Sequence, residues 1–557
     1  MTTDRVVAAA LPLAILTPLA LDAGGFFPTA WGFTGLALLA VAAIALLLRD
    51  GFAIGRIETV WLTLVGVYAA FVLGSSVWSI DPTQSVLAGE RAAVYPLGLL
   101  AAVLVVRRES AGRMLAGLVA TGSLIALIAL ATRILPGVFG RANDPVATGQ
   151  LYAPIGYWNG LACMMAMGLA LTVGLWLDPQ ARHRSLLLAV AAPQLLALLL
   201  TESRGAVGGL IVGGMICAAL RLRSRAGRRL AGAAVLATVV VIGVAIGSSA
   251  GGPRGSGDAA VALTGRGALW SVSIDQFEAH PLAGAGAGTW QAYWSRLRPH
   301  SRDVGNPTSL YLQALGELGI VGLVMLVVVL TLPVAVAVRV ASPGDSFVPA
   351  AAGAYAVLLV DAAVDWDWEL PAVFLFGLWC AVAILIAARR EQAGRRLRPL
   401  RRGAAVAACA GLAVLVAAGL VGNSLISSSA TAVAAGRYSD AVTDARSAGS
   451  WMPWSYLPAT WRGEAELAAG NRPAAAAAFR AALAKPRGSG VWRLWWNLAR
   501  ATSGAEQAGA LRRAIALDPL SPEVRAFCAS LAPTAGSQVE GVCLHLPRRH
   551  HKHHGGV

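Results

Sequence analysis

The apolar residues of this chain fall in uninterrupted blocks of roughly 17 to 22, the length a helix needs to cross about 30 Å of hydrocarbon. No other feature limits the fold as much. The blocks show neither the alternation of a half-buried strand nor the stripe of a surface helix. Backbone in lipid must pair its own amides, so each block reads as a spanning α-helix. They lie near 6–22, 30–48, 59–77, 92–106, 114–132, 157–177, 185–201, 205–220, 230–248, 315–338, 346–363, 370–388 and 403–422. The expectation is an all-α polytopic bundle of about 12–13 spans. Composition agrees: 57% of residues are hydrophobic and 13% charged, against roughly 25% charged in soluble domains. The first block follows a single Arg5 with no small-residue cleavage site before the next span, and reads as an uncleaved helix.

Three units follow from this pattern. Residues 1–425 form the membrane domain with a large loop at 249–314, residues 426–535 form a soluble helical unit, and residues 536–557 form a flexible basic, His-rich end. Basic residues collect around Arg107, Arg108 and Arg113, in the run Arg221 to Arg229, and from Arg389 to Arg402. Cytoplasmic loops retain Lys and Arg, so these clusters belong inside, with the N-terminus. Segments 133–156, 249–314 and 362–369 then lie outside, and an odd number of spans puts the C-terminal unit outside as well. The apolar blocks make membrane lipid a partner, and the net charge of +16 is explained by these inner loops and the far C-terminal end better than by nucleic acid. The location expected is the cytoplasmic membrane of a bacterium.

Cys163, Cys217, Cys380 and Cys409 lie in predicted spans without metal-ligand spacing and read as small apolar packing residues. No metal and no cofactor are implied. Cys528 and Cys543 lie in the C-terminal unit, where a disulfide is open to them if that unit faces an oxidising compartment.

Beyond Ser424, a Gly-led phrase returns at Gly436, Gly470 and Gly504, each 34 residues after the last, with Pro453, Pro486 and Pro519 nearly in step. That period, with Ala441, Ala445, Ala475, Ala478 and Phe479 at helix-contact positions, resembles the tetratricopeptide repeat. The resemblance implies stacked helix pairs with a surface for a protein partner; a plain cap on the membrane domain is the other reading. The clustered tryptophans Trp451, Trp454, Trp461, Trp492, Trp495 and Trp496 suit packing between repeats, or contact with lipid or sugar.

The 249–314 loop carries the densest set of distinctive residues. It holds Gly265-Arg266 before Leu269-Trp270, then His280-Pro281-Leu282-Ala283-Gly284-Ala285-Gly286, then Asn306-Pro307-Thr308-Ser309 and, entering the next span, Glu317-Leu318-Gly319. Upstream stand Ser203-Arg204 at a span end and Asn143, Asp144, Gly149, Tyr157, Trp158 and Asn159. In this order the phrases resemble the O-antigen ligase and polymerase superfamily, over about 130–330.

The resemblance implies transfer or polymerisation of a glycan from a polyprenyl-diphosphate-linked donor, at the outer membrane face, onto a glycan, lipid or protein acceptor. Arg204 and Arg266 are the expected diphosphate-binding pair, since a guanidinium forks onto phosphate oxygens. The bland alternative has Arg204 snorkelling at the interface and Arg266 paired with a carboxylate. Trp270, His280 and Thr308 are the other loop positions carried over. Ligases of the family place a histidine where this chain has Thr308, which cannot take a proton near neutral pH. His300 and Glu202 are the candidate bases in its place, with His280, Asp303, Asp361, Asp365 and Asp367 nearby. Two competing functions are a non-catalytic envelope scaffold and a transporter or flippase of lipid-linked saccharide.

Overall fold

The structure is a computed structural model describing residues 2–49, 51–139, 149–178, 184–221, 266–341, 347–389, 398–485, 487–531 and 537–544. The span expected at 230–248, Asn143, Asp144, Gly265, Pro486 and the His-rich end after 544 lie outside the described residues.

Ten helices among the described residues are long and apolar enough to cross a membrane. We number the elements α1 (Thr2–Leu21), α2 (Pro28–Leu48), α3 (Arg56–Gly74), α4 (Pro82–Val105), α5 (Ala111–Ile134), α6 (Trp158–Trp176), α7 (Arg184–Thr201) and α8 (Arg204–Arg221). In the loop lie α9 (Gly267–Ala279) and α10 (Trp290–Leu297), followed by α11 (Leu310–Val340), α12 (Val348–Val364), α13 (Pro371–Ala387) and α14 (Pro399–Ala434). The shorter α12 and α13 bring the apolar helices to twelve, each on an expected block. Helix α4 starts ten residues before its block at 92, because Asp81 caps it by accepting from Gln84 N (3.2 Å) and Pro82 suits a first turn.

Every residue of α13 is buried, so this helix, apolar on all sides, is the hub of the bundle. Aromatic polar tips tie neighbours together: Trp379 Nε1 donates to Gly98 O (3.0 Å) and Trp61 Nε1 to Val329 O (2.8 Å). Helices α8 and α12 touch backbone to backbone at Gly213 and Gly353, where an added Cβ on Gly213 would lie 2.4 Å from Gly353 O. Small residues make that approach possible in lipid, where no hydrophobic effect draws helices together.

The two ends of the bundle differ in charge. At one end Arg49 bonds Asp4 (2.8 Å) and Leu104 O, Arg108 donates to Arg389 O (2.7 Å), and Arg389 pairs with buried Glu58. At the other end meet the 22–27, 75–81, 149–157 and 365–370 connections, the 266–309 loop and the C-terminal unit. Arg108 and Arg389, from two of the basic clusters, thus meet at one end among the described residues, while Arg223 to Arg229 lie outside them.

The C-terminal unit continues α14 without a break and adds α15 (Tyr438–Trp451), α16 (Leu457–Ala468), α17 (Arg472–Leu483), α18 (Trp492–Ala501), α19 (Gly504–Leu517), α20 (Pro522–Leu531) and α21 (Ser537–Leu544). Gly436, Gly470 and Gly504 all have φ between 64° and 82°, the left-handed region glycine enters without steric cost, so the 34-residue phrase marks recurrent helix ends. Ala441, Ala445, Ala475, Ala478 and Phe479 are buried between the helices. Cys528 and Cys543 are joined in a disulfide that ties α20 to α21.

This unit is docked on the loop. Arg298 Nη2 reaches both oxygens of Asp518 (2.7 and 2.8 Å), with each side chain only 1% exposed. Around it Arg493 meets Asp303 (2.9 Å), and the Tyr456 hydroxyl donates to Asp81 (3.1 Å). Breaking a buried pair by removing one partner typically costs about 3–5 kcal/mol. We therefore expect Asp518→Ala to lower the melting temperature in detergent and expose the 296–302 segment to trypsin. Replacing both partners with apolar residues (Arg298→Met, Asp518→Leu) should recover most of that loss.

Candidate active site

The family phrases of the loop form one interlocked unit. Helix α11 is broken at Gly319 (φ 66°, ψ −167°), which frees amides that lipid cannot satisfy. The His280-to-Gly286 phrase takes them up: Ile320 N donates to Pro281 O (2.9 Å), Val321 N to Leu282 O (3.2 Å), and in return Gly286 N donates to Glu317 O (2.9 Å). The Glu317 carboxylate, buried, accepts from Gly288 N (2.9 Å), Trp290 N (3.1 Å) and Gln313 Nε2 (3.2 Å). Glu317 therefore holds the start of α10 in place. His280 ends α9 and takes Gly284 N on its carbonyl (3.1 Å), while its side chain is exposed. Trp270 packs with Leu269, Val272, Trp290 and Trp294 under the loop.

The charged centre lies beside this unit, at the ends of α6, α8, α9 and α12. Asp365 closes α12 and is buried. It accepts from the Tyr157 hydroxyl (2.6 Å), Asn159 Nδ2 (2.5 Å) and Trp366 N (2.8 Å), and Arg266 Nη2 stands 3.5 Å away. That contact is the only side-chain hydrogen bond Arg266 makes among the described residues. With its side chain 27% exposed, the guanidinium has further donors without a partner among the described residues. Burial and the neighbouring Asp361 push the Asp365 carboxyl up to about 7. Asp367 is likewise raised, by burial and by its two acidic neighbours. Aromatic walls surround the carboxylates, with Tyr157 and Trp366 at 4.4 Å and Phe26 against Trp366 at 5.7 Å between ring centres. Arg91 pairs with Glu369 (3.2 Å) on the far side.

Arg204 is the first residue of α8 and is exposed, with no ion pair or hydrogen bond of its side chain among the described residues. Its neighbour Gly205 lies against Asp361, since a Cβ there would be 3.4 Å from Asp361 Oδ1. The start of α8, which carries Arg204, therefore lies beside the acidic segment that Arg266 contacts. Thr308 sits just before the Ser309 cap of α11, at φ 52°, with its hydroxyl unpaired among the described residues. Glu202 occupies an exposed turn at φ 58°. His300 stacks edge-on against Trp294 (5.4 Å), on the part of the loop that meets the C-terminal unit, and burial with nearby Arg302 lowers its pKa.

Cys163, Asp361 and Asp367 bring ligand-type atoms within 4.8 Å of one another, fully buried. Acids packed this tightly away from water raise one another's proton affinity. Asp365, with Tyr157 and Asn159, is the grouping that sequence reasoning did not assemble. The available signal was four acidic residues in the nine-residue stretch Asp361 to Glu369, between two apolar spans. Charge so close to lipid marks function by default.

Residues 186–327 match the family model described as O-antigen ligase. Over this segment, about a quarter of the chain, the protein is similar to the O-antigen ligase family, which supports a membrane glycan ligase or polymerase. The matched stretch includes Arg204, Arg266 and the interlocked loop phrases, while Tyr157, Asn159 and the 361–369 segment lie outside it. No curated protein matches the chain.

The loop unit has a direct test. The backbone at Gly319 is essentially restricted to glycine, at a cost of about 1–3 kcal/mol for another residue. An added Cβ would also lie 2.4 Å from Leu282 O. Gly319→Ala is thus expected to destabilise the purified protein by at least that amount, measured by thermal unfolding, whereas Gly305→Ala, in open space, should change little.

Proposed function

We propose that this protein, as a bearer of the O-antigen ligase segment, transfers or polymerises glycan from a polyprenyl-diphosphate-linked donor on the outer face of the cytoplasmic membrane. The observation that carries the reading is Arg266 in one-point contact with a buried, proton-ready Asp365. The donor's diphosphate binds across Arg266 and Arg204. As the sugar–phosphate bond lengthens, negative charge grows on the departing oxygens, and fixed guanidinium groups stabilise that state more than the starting one. Asp365 acts as the base. It takes the proton of the acceptor hydroxyl as that oxygen attacks the anomeric carbon, and the diphosphate lipid leaves.

Asp365 is preferred to His300 and Glu202 because it alone touches a candidate phosphate-binding arginine. Its raised pKa suits proton transfer near neutral pH. Tyr157 and Asn159 hold the carboxylate in position. The outward placement is supported by the basic loops gathering at the opposite end and by the Cys528–Cys543 disulfide, which fits an oxidising compartment.

In proteoliposomes supplied with polyprenyl-diphosphate-linked glycan and acceptor, Asp365→Asn should slow transfer by about 10²–10⁴ and Arg266→Ala by about 10²–10³. Arg266→Lys should restore only part, since an ammonium cannot fork. Wild-type rates from both Asp365→Asn and Arg266→Ala would sink the assignment.

The base works deprotonated, and its folded pKa is raised. Accordingly kcat/KM should climb with pH up to about 7 and then level. Below that point it should fall about tenfold per pH unit. A flat profile between pH 5 and 8 would exclude Asp365 as the titrating group.

A further inference from the structure

Between the loop and the C-terminal unit lies a cleft of about 460 Å³, within the roughly 300–1,000 Å³ of small-molecule sites. One wall is α10 with the end of α9; the other is the 490–493 turn and Tyr456. The floor is the cap of α4. It is a preformed cleft, because the Arg298–Asp518 pair fastens the two walls and the Asp81–Tyr456–Gln84 chain (3.1 Å at each link) fixes the floor.

Its lining combines aromatic faces with unspent polar groups. Tyr293 and Trp492 supply rings, while Gln291, Arg296 and His280 line it with side chains that make no hydrogen bond or ion pair among the described residues. The Tyr293 hydroxyl is also unpaired among them. The charge balance is modest: Arg493, at the edge, is already held by Asp303 and lies over Trp492 at 4.7 Å, and Asp81 faces the same space as Arg296. A phosphate ligand would need unspent cations in number, and an apolar one would strand the amide and imidazole groups. A neutral polyhydroxylated ligand satisfies both, laying C–H faces on the rings and hydroxyls on Gln291, His280 and Arg296.

We propose that this cleft is a saccharide-binding site, which holds sugar residues of the glycan being joined at a distance from the Arg266–Asp365 centre. The proposal deepens the transfer reading and rests on it for the identity of the glycan. The repeat-built unit then supplies half of a substrate site, in place of acting only as a cap.

The test measures binding without turnover. Full-length protein carrying Asp365→Asn is dialysed against two labelled pools: oligosaccharide released by mild acid from the cell's lipid-linked donor, and oligosaccharide from the finished envelope polysaccharide. Saturable binding of either pool is expected, the first marking the donor's sugars and the second the acceptor's. Tyr293→Ala should raise Kd about tenfold. Ala292→Trp, at an exposed position on the cleft wall, should fill the space and abolish binding with unchanged melting temperature.

Unaltered binding in Ala292→Trp would overturn the site. So would failure of both pools to bind, or binding of a protein partner alone. If Asp365→Asn proves fully active while Ala292→Trp still loses sugar binding, the catalytic assignment fails and the cleft stands.

Discussion

A helix cannot be broken in a membrane unless something takes the amides and carbonyls that the break exposes, because lipid offers no hydrogen bonds. Here the break at Gly319 and the turn at His280 to Gly286 satisfy each other. From that mutual pairing the rest of the working end follows. Glu317 is left free to hold the start of α10, α9 is held in place before it, and Arg266 at the head of α9 is delivered to Asp365. Two phrases of the sequence, about thirty residues apart, are therefore one device.

The charged centre is built on the same economy of buried polar groups. Asp365 is satisfied on every side, by a phenol, an amide, a backbone N–H and a guanidinium. Asp361 and Asp367, by contrast, have oxygens with no hydrogen-bond partner of good geometry among the described residues. A fully satisfied carboxylate beside two under-satisfied ones makes a region whose charge depends on protons. On the proposed reading, a diphosphate drawing on Arg266 would raise the proton affinity of the carboxylate beside it.

The C-terminal unit belongs to this machinery mechanically. Helix α14 leaves the bundle and becomes the first helix of the unit without a turn, and the far end of the unit returns to the loop through Asp518. Tied at both ends, it cannot swing away without exposing a buried ion pair.

Much of the architecture was legible along the chain. Apolar blocks of spanning length, basic runs between them and glycines at a fixed period are local properties. Each has a local cause: the thickness of hydrocarbon, the retention of arginine, the left-handed turn that glycine enters most readily. Arg204 and Arg266 were legible as candidates through the family phrases around them, with the fit of a guanidinium to phosphate as support. What sequence could not decide was pairing. That Asp365, out of seven possible replacements for the missing histidine, meets Arg266 depends on α12 and α9 ending at the same place, ninety-nine residues apart in the chain. His300, nearest in sequence to Thr308, is turned instead toward Trp294 and the C-terminal unit. Hydrocarbon length and side-chain type act on each segment by itself and so can be read one segment at a time. The partner of a buried charge is set by which helix ends the packing brings together, and only the tertiary structure decides that.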